Sequence, residues 1–317
     1  MYHIIINPSA QSGRGMQHWK NVKRIFDEEK ASYKVHFTKK AGDIAQYAKD
    51  LYEASASAGE SLHIILMGGD GSVNELLQGF PSLDNLTLSV VPIGSSNDFA
   101  RSLGISFNPQ MAIEHILTKP TTLYTDIGIV HCEDSTHPEK AIRDRRFLVS
   151  SGAGYDASIC QEALDSPIKR FLNRLGLGKL TYLFVSLKQL ASLKPVAADL
   201  TLGGSDKIIH MDKMLFVAGM NTRYEGGGFM FAPKASHYDG QVDICAVSGI
   251  SKGTVLRALP TATKGNHFKF EGIDFYRTTS YTLRTSVPVW VHTDGEVETR
   301  ADFISVRIMK EAIKLIY

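Results

Sequence analysis

The stretch HIILMGGDGSVNELLQGF, residues 63 to 80, decides the fold. An apolar run ends on Gly68-Gly69-Asp70-Gly71, and a helical pattern follows at once. Fully apolar runs of this kind are typical of parallel strands, which are buried on both faces. Glycines at the end of such a strand let the backbone approach a ligand, and the N-terminus of the next helix favours an anion. The stretch therefore predicts a strand, loop and helix that hold phosphate.

The first 126 residues repeat this alternation of strands and helices. Apolar strands are predicted near 2–7, 33–38, 62–67 and 87–93, and helical patterns lie near 17–31, 41–58, 73–80 and 109–117. Such βαβα order favours a parallel sheet with helices on both faces. We predict a doubly wound α/β nucleotide-binding domain over residues 1–126, which the tail, 304–317, could complete.

After about residue 126 the pattern changes to short β-rich segments separated by glycine and polar turns. This pattern is typical of an antiparallel sandwich. We predict a second, larger, all-β domain of that kind over residues 127–303, interrupted by one helical insert at about 160–194.

Composition narrows the functional classes. The chain has 317 residues, 43% of them hydrophobic, and a net charge of +2, so a strongly basic nucleic-acid-binding domain is not indicated. The three cysteines are far apart, without disulfide or zinc spacing. No apolar run reaches the roughly 18 residues of a membrane span. We expect a cytoplasmic protein with reduced thiols that can still associate peripherally with a membrane.

Two more segments resemble strand-end ligand loops. They are IINPSAQSGRG, residues 5–15, and VVPIGSSNDFARSLG, residues 90–104. Each alone could be a simple turn with a helix cap, but ligands in open α/β sheets collect at the carboxyl ends of strands, so three loops together indicate one nucleotide site. Because Asp70 would repel phosphate unless a cation lies between them, it also predicts Mg²⁺.

A second glycine pattern lies at residues 152–157, GAGYDA, and matches the G-x-G-x-x-A dinucleotide fingerprint. It falls outside the alternating region and has no acidic residue about 20 positions later. We interpret it as structural, or as backbone on the substrate side.

These motifs together resemble the diacylglycerol kinase catalytic-domain family, particularly its bacterial soluble lipid kinases, which are related to sphingosine kinases and more distantly to NAD kinases. The matching residues, in chain order, are Asn7-Pro8, Ser12-Gly13, 68–75, 92–101, 126–128, 226–228, Ala232-Pro233, Asp239-Gly240 and Asp294-Gly295-Glu296. The resemblance covers the whole chain and is far more specific than any single glycine motif.

The resemblance implies a two-domain kinase that uses ATP and Mg²⁺ in a cleft between its domains. Asp70, Asp98 and Asp126 would form an aspartate, water and Mg²⁺ network. The residues implied to contact nucleotide are Asn7, Pro8, Ser12, Gly13, Arg14, Thr38, Gly69, Asp70, Gly71, Ser72, Val73, Asn74, Glu75, Ser95 and Asn97. Arg14 replaces the family's usual lysine, and Ser95 its usual threonine.

Glu296 resembles the family's general base, which accepts the proton of the attacking hydroxyl. Taken alone, the Asp-Gly before it would indicate only a hairpin turn. Asp239 and the Gln241 carbonyl could hold a second, structural Mg²⁺, but Ser236 stands where some family members have an acid, and a plain β-turn is an equally good interpretation.

Two segments suggest the acceptor side. The insert at 161–194 carries Lys169, Arg170, Arg174, Lys179, Lys188 and Lys194 among leucines and phenylalanines. It could contact an anionic bilayer or form a helical pair with a solvated basic face. Residues 221–235, NTRYEGGGFMFAPKA, could line the acceptor pocket, with glycines that let a lipid pass close to the backbone.

The leading hypothesis is a lipid kinase that converts diacylglycerol to phosphatidate at the membrane surface. A sphingoid base, phosphatidylglycerol or an isoprenoid alcohol could be the acceptor instead. The alternatives are a soluble kinase of the NAD kinase type and a nucleotide- or lipid-binding protein that has lost catalysis. No nucleic-acid partner is expected, and a homodimer is left open.

Overall fold

The computed structural model describes residues 1–140, 144–165, 190, 192, 194–205 and 207–317. They divide into two compact units. The first comprises Met1–Ile127 with Lys310–Tyr317, and the second comprises Gly128–Met309.

The first unit alternates strands and helices. Its elements are β1 Tyr2–Ile6, α1 Ala10–Gly13, α2 Gly15–Glu28, β2 Tyr33–Phe37, α3 Asp43–Ala58, β3 Leu62–Gly68, α4 Asp70–Gly79, β4 Leu86–Pro92, α5 Asp98–Leu103 and α6 Pro109–Thr118. Strands β4, β3, β1 and β2 lie side by side in that order and are all parallel. The predicted α/β architecture is confirmed.

The core of this unit follows from the spacing of its apolar residues. Trp19, Val22 and Phe26 recur every three or four positions along α2, so one helical face is apolar and packs with Ile4 and Ile6 of β1. Ile4, Ile5 and Ile6 of β1 and residues 64–67 of β3 are fully buried, so these strands are covered on both faces, as expected for parallel strands.

The second unit is dominated by antiparallel strands. Its elements are β6 Arg145–Phe147, β7 Ser150–Gly154, α7 Tyr155–Asp165, β8 Val196–Leu202, β9 Ile208–Met220, β10 Val242–Ser248, α8 Lys252–Ala262, β11 Ile273–Thr278 and β12 Ser280–Thr293. Strand β9 pairs with β7, β8 and β10, and β12 pairs with β7 and β8. The predicted antiparallel second domain is confirmed.

Two strands have residues in both units: β5, Thr122–Glu133, and β13, Glu296–Ile316. Within the first unit, the end of β13 runs parallel to β4, with Lys314 opposite Thr87. Ser89 accepts a hydrogen bond from the His63 ring at 3.0 Å and donates one to the Ile316 carbonyl at 2.6 Å, which anchors the tail.

The sequence-based prediction missed helix α8, because it allowed one helical insert in the second domain. Ser251 caps α8 by accepting from the Thr254 N–H at 3.1 Å, a signal that was present in the sequence. Most of the predicted basic insert lies outside the described residues, including Lys169, Arg170, Arg174, Lys179 and Lys188, whereas Lys194 at its end is described.

Within the ranges described above, no helix is both long enough and apolar enough to cross a membrane.

Candidate active site

The carboxyl ends of the four parallel strands form one row in the first unit. Ile6 of β1 is opposite Phe37 of β2 and Met67 of β3, and Gly68 of β3 is opposite Pro92 of β4. The residues that follow these strands therefore lie side by side. They are Asn7, Thr38, Gly69 and Ile93. Backbone hydrogen bonds continue the row: the Asn7 N–H donates to the Met67 carbonyl, the Thr38 N–H to the Ile6 carbonyl, and the Ile93 N–H to the Gly68 carbonyl.

Two of the glycine loops are in direct backbone contact. A Cβ on Gly69 would lie 2.8 Å from the Gly94 Cα, and a Cβ on Gly94 would overlap the Gly69 Cα. Ser95, next to this contact, is exposed. Since the first N–H groups of a helix have no intrahelical acceptor, the start of α4 at Asp70 offers donors for an anion beside Gly69.

The Asp70 carboxylate joins the loop after β3 to the loop after β4, which is the third of the predicted ligand loops. Its two oxygens accept the backbone N–H groups of Asp98 at 3.0 Å and Phe99 at 3.1 Å, at the start of α5. Asp70 is therefore positioned by the loop that carries Asp98, which brings two members of the predicted aspartate network together.

The third loop is held closed by Asn97. Its side chain accepts from the Gly94 N–H at 2.9 Å and donates to the Gly94 carbonyl at 3.0 Å, with the backbone in the left-handed region at φ 53°. Asp98, the next residue, is 3% exposed and lies 3.6 Å from the Arg101 guanidinium. A buried carboxylate of this kind needs positive charge or donors nearby.

Asp126, which belongs to β5 in the first unit, is fully buried. Its Oδ1 accepts the Glu311 N–H at 2.8 Å, which ties the returning tail to this carboxylate.

The first predicted loop contains the short helix α1, which includes Ser12 and ends at Gly13. Asn7 Oδ1 accepts the Ser9 N–H at 3.0 Å and thereby fixes the turn after β1. A Cβ on Gly15 would overlap the Asn7 carbonyl, so the chain needs glycine there. Pro8 is half-buried and Arg14 is exposed.

Three of the residues implied to bind nucleotide make contacts within the protein. The Val73 side chain is buried in the core and its N–H bonds the Gly69 carbonyl; Asn74 is also buried. Glu75 Oε1 accepts the Ile44 N–H at 3.0 Å, at the start of α3. This geometry disfavours direct nucleotide contact by their side chains, whereas Gly71 and Ser72, at the start of α4, are partly accessible.

Glu296 lies in the second unit, directly after a two-residue hairpin turn between β12 and β13. Thr293 is opposite Glu296, and the turn residues Asp294 and Gly295 have φ values of 51° and 84°. This is the geometry that Asp-Gly favours in a type I′ hairpin. The predicted turn and the predicted base are therefore parts of one hairpin.

The turn is tied down by the Asp294 carboxylate. It accepts the backbone N–H groups of Leu148 at 3.0 Å, Val149 at 2.8 Å and Ser150 at 3.1 Å. Glu296, which is half-buried, thus projects from a turn with little freedom to move.

Sequence reasoning missed a buried cluster next to this turn. His292 Nε2 lies 2.8 Å from Asp156 Oδ2 and 3.1 Å from Glu225 Oε1. Burial, followed by the charge of Asp156, raises the pKa of the Glu225 carboxyl. The three residues are far apart in sequence, and no local spacing could have revealed them.

The surroundings of Asp239 weigh against a second metal ion. The Arg277 guanidinium lies 3.9 Å from Asp239 and forms a bidentate ion pair with Asp243. Asp239 also accepts the Gln241 N–H at 3.0 Å, as in a turn, while the Ser236 hydroxyl is buried with no hydrogen-bond partner among the described residues. The Arg277 guanidinium already supplies positive charge beside Asp239, which disfavours a cation there. The structural Mg²⁺ is not tested by these contacts and stays a prediction.

Comparison with known proteins agrees with this architecture. Residues 1–129 match the diacylglycerol kinase catalytic domain, and residues 149–317 match the YegS C-terminal NAD kinase beta sandwich-like domain. A diacylglycerol kinase from Bacillus subtilis is 28% identical over 92% of this chain and 88% of its own length. The "Putative lipid kinase YtlR" of the same organism is 26% identical over 93% of each chain.

A solved diacylglycerol kinase structure from Bacillus anthracis shares the fold, with a TM-score of 0.72 at 20% identity, over 100% of this chain and 96% of the other. The fold, the strand-end loops and these matches define a lipid kinase. The chain belongs to the diacylglycerol kinase catalytic-domain family, in the branch whose second domain is the YegS C-terminal type.

Proposed function

We propose that this lipid kinase transfers the γ-phosphoryl group of ATP to the free hydroxyl of diacylglycerol, and that phosphatidate and ADP are the products. The proposal on the acceptor is supported by the Bacillus subtilis relative, which is named a diacylglycerol kinase and aligns over most of both chains.

The observation that carries the nucleotide part is the contact between Gly69 and Gly94 at the ends of two adjacent parallel strands. It brings the start of α4, with its N–H donors, beside the exposed Ser95. Asn7 and Thr38 continue the same row. A triphosphate laid along this row would meet backbone donors and hydroxyls, which suits phosphate recognition.

The acidic residues fit Mg²⁺. Carboxylate oxygens are the ligands that Mg²⁺ prefers, and Asp70, Asp98 and Asp126 offer them in the first unit. Asp70 and Asp98 are held near each other, and the burial of Asp98 gives a carboxylate that favours a neighbouring cation. When bound, Mg²⁺ would neutralise charge on the phosphates.

Glu296 is proposed as the general base. The lipid hydroxyl oxygen forms a bond to the γ-phosphorus, the bond from that phosphorus to the β,γ-bridging oxygen breaks, and ADP leaves. The hydroxyl proton passes to the Glu296 carboxylate. The rigid turn that carries Glu296 suits this role because the base must be held within hydrogen-bonding reach of the hydroxyl.

The test is transfer of labelled γ-phosphate from Mg-ATP to lipid vesicles by the purified protein. Separate vesicles carry diacylglycerol, sphingosine, phosphatidylglycerol or an isoprenoid alcohol. We expect label in phosphatidate, and we expect Asp98→Asn to abolish it. Exposed Asp50 offers a matched control, since Asp50→Asn removes the same charge outside the strand-end row.

Label in a different lipid would replace diacylglycerol by that acceptor and leave the kinase assignment in place. Transfer of label from γ-labelled GTP but not from γ-labelled ATP would show that ATP is not the phosphate donor. A folded protein that labels no lipid in the panel would contradict the proposal as a whole.

A further inference from the structure

The cluster of His292, Asp156 and Glu225 is buried inside the second unit. The His292 side chain is 0% exposed and that of Glu225 is 9% exposed. His292 and the Ser150 hydroxyl are neighbouring side chains that stabilise the Glu225 carboxylate. Two carboxylates facing one imidazole nitrogen are costly to bury, so the arrangement calls for an explanation beyond packing.

The chain uses glycine at two places to build this cluster. A Cβ on Gly152 would overlap both Asp156 Oδ2 and His292 Nε2, so the pair can form only under a glycine. Gly226, Gly227 and Gly228 all have positive φ, at 65°, 86° and 111°, and form a tight loop.

The glycine loop is closed by reciprocal hydrogen bonds between Glu225 and Phe229, at 2.9 and 3.0 Å. Such a run of positive φ values requires glycine. The three glycines therefore form the loop that places Glu225 against His292. This role explains the glycines more directly than the close passage of a lipid chain that the sequence suggests.

The other side of the His292 ring contacts the catalytic turn. The Gly295 N–H donates to His292 Nδ1 at 3.1 Å, so Nδ1 acts as an acceptor and carries no proton. Nε2 then carries the ring proton and faces Asp156 and Glu225. Burial opposes a charged ring, but the charges of Asp156 and Glu225 raise the pKa of His292, while burial also raises the pKa of Glu225, so the shared proton can sit on either group. The Gly295 N–H directed at Nδ1 selects the arrangement with a neutral ring and a protonated Glu225.

A metal site is the obvious alternative, because Asp156, Cys160 and His292 each place a ligand atom within 4.8 Å of the others. A metal on Nε2 would force the ring proton onto Nδ1, where it would point at the Gly295 N–H. The hydrogen bonds therefore favour a metal-free cluster.

We propose that His292 is a positioning residue for the base: held by Asp156 and Glu225, it accepts the Gly295 N–H and sets the turn from which Glu296 projects. This inference rests on the proposed role of Glu296. It explains the buried carboxylates, because by accepting the Nε2 proton they fix which ring nitrogen carries it, and a hydrogen bond at one ring nitrogen sets the role of the other.

Two substitutions test the roles of the two ring nitrogens separately. His292→Asn puts a carbonyl oxygen near the position of Nδ1, whereas His292→Gln puts its amide near Nε2 and leaves Gly295 without an acceptor. We expect Asn to preserve the turn. We expect Gln to lower kcat by about 100-fold through misplacement of Glu296, with the KM for ATP unchanged.

Hydrogen exchange of the Gly295 amide supplies a readout that does not need catalysis. It should be faster in His292→Gln than in wild type and near wild type in His292→Asn. The control is His210→Gln, which breaks an exposed His–Asp contact of 2.7 Å in the same unit and should change neither exchange at Gly295 nor kcat.

Wild-type kcat and exchange in His292→Gln would overturn the inference, as would equal losses in the Asn and Gln variants. If the variants do not fold, ¹⁵N NMR of the His292 ring in the wild-type protein decides: protonated Nε2 with bare Nδ1 supports the inference, and protonated Nδ1 overturns it. Activity in Glu296→Gln would refute the proposed base, yet the exchange result would still report whether His292 sets the turn.

Discussion

Asp70 in the first unit and Asp294 in the second are held in the same way, by accepting backbone N–H groups of another segment. Asp70 binds Asp98 and Phe99, which belong to a neighbouring loop of the same alternating pattern. Asp294 binds residues 148–150, about half the chain away. The comparison teaches that the contact of Asp70 with the Asp98 loop is built from neighbouring motifs, whereas the turn before Glu296 is built from long-range contacts.

The difference should appear in how each unit tolerates change. A local motif keeps much of its geometry when one contact is lost, because strand order and helix starts still place the loops. A turn held by distant segments depends on each of those contacts. Substitutions of matched chemistry in the two units can break or sharpen this comparison.

The largest effect on stability is expected for Asp294→Ala. It leaves the N–H groups of Leu148, Val149 and Ser150 without their acceptor, and each unsatisfied buried donor costs about 1–3 kcal/mol. We expect the free energy of unfolding to fall by about 3 kcal/mol or more, measured by urea denaturation. Asp294→Asn keeps an acceptor oxygen and should lose clearly less; equal losses would refute this account of the turn.

Asp70→Ala should destabilise less but abolish kinase activity. The two N–H groups it frees lie at the start of α5, where loss of a capping acceptor costs about 0.5–2 kcal/mol. Asp70→Asn retains an acceptor for one N–H and removes the charge, so it should fold nearly as well as wild type while remaining inactive. An active Asp70→Asn enzyme would show that the charge is not needed.

Gly94→Ala tests the contact between the two glycine loops. Its Cβ would overlap the Gly69 backbone, which cannot rotate away, and overpacking of this kind costs about 1–3 kcal/mol. We also expect weaker ATP binding, measured by calorimetry. Gly104 is the control: a Cβ there meets open space, so Gly104→Ala adds only the strain of φ 74° and should leave ATP affinity unchanged.

The smallest effects at neutral pH concern two buried histidines, and here the two units should behave alike. Burial lowers the pKa of His63 in the first unit and of His267 in the second to about 4, from an ordinary value of 6.5. The unfolded chain then binds the proton more tightly, so stability is full above pH 6.5 and declines as the pH falls towards 4.

His63→Gln and His267→Gln should each make the decline in unfolding free energy between pH 6.5 and 4 shallower. Urea denaturation across a pH series measures it. If neither His63→Gln nor His267→Gln changed the slope, the assignment of the acid decline to these two histidines would be wrong.

Sequence reasoning succeeded where the pattern is local. The alternating strands, the convergence of three loops and the hairpin before Glu296 could be predicted, because parallel strand ends share one edge and Asp-Gly favours a tight turn. It failed for helix α8, where β-branched residues and Pro260 obscured the capping signal of Ser251.

The buried cluster could not be predicted at all. His292 and Asp156 are separated by 136 positions, and their contact depends on strand pairing between β12 and β7. Gly152 belongs to the glycine pattern at 152–157, interpreted from the sequence as structural or as substrate-side backbone. Its reason, close approach of two polar side chains, became visible only in three dimensions.

The central claim is that Glu296 is the base of an ATP-dependent lipid kinase. The most direct measurement is the rate of phosphate transfer from ATP to diacylglycerol vesicles by Glu296→Gln, together with its ATP affinity. We predict a loss of about 10²–10⁴-fold in kcat with ATP affinity unchanged, and wild-type activity in the exposed control Glu271→Gln. Transfer by Glu296→Gln at the wild-type rate would contradict the claim.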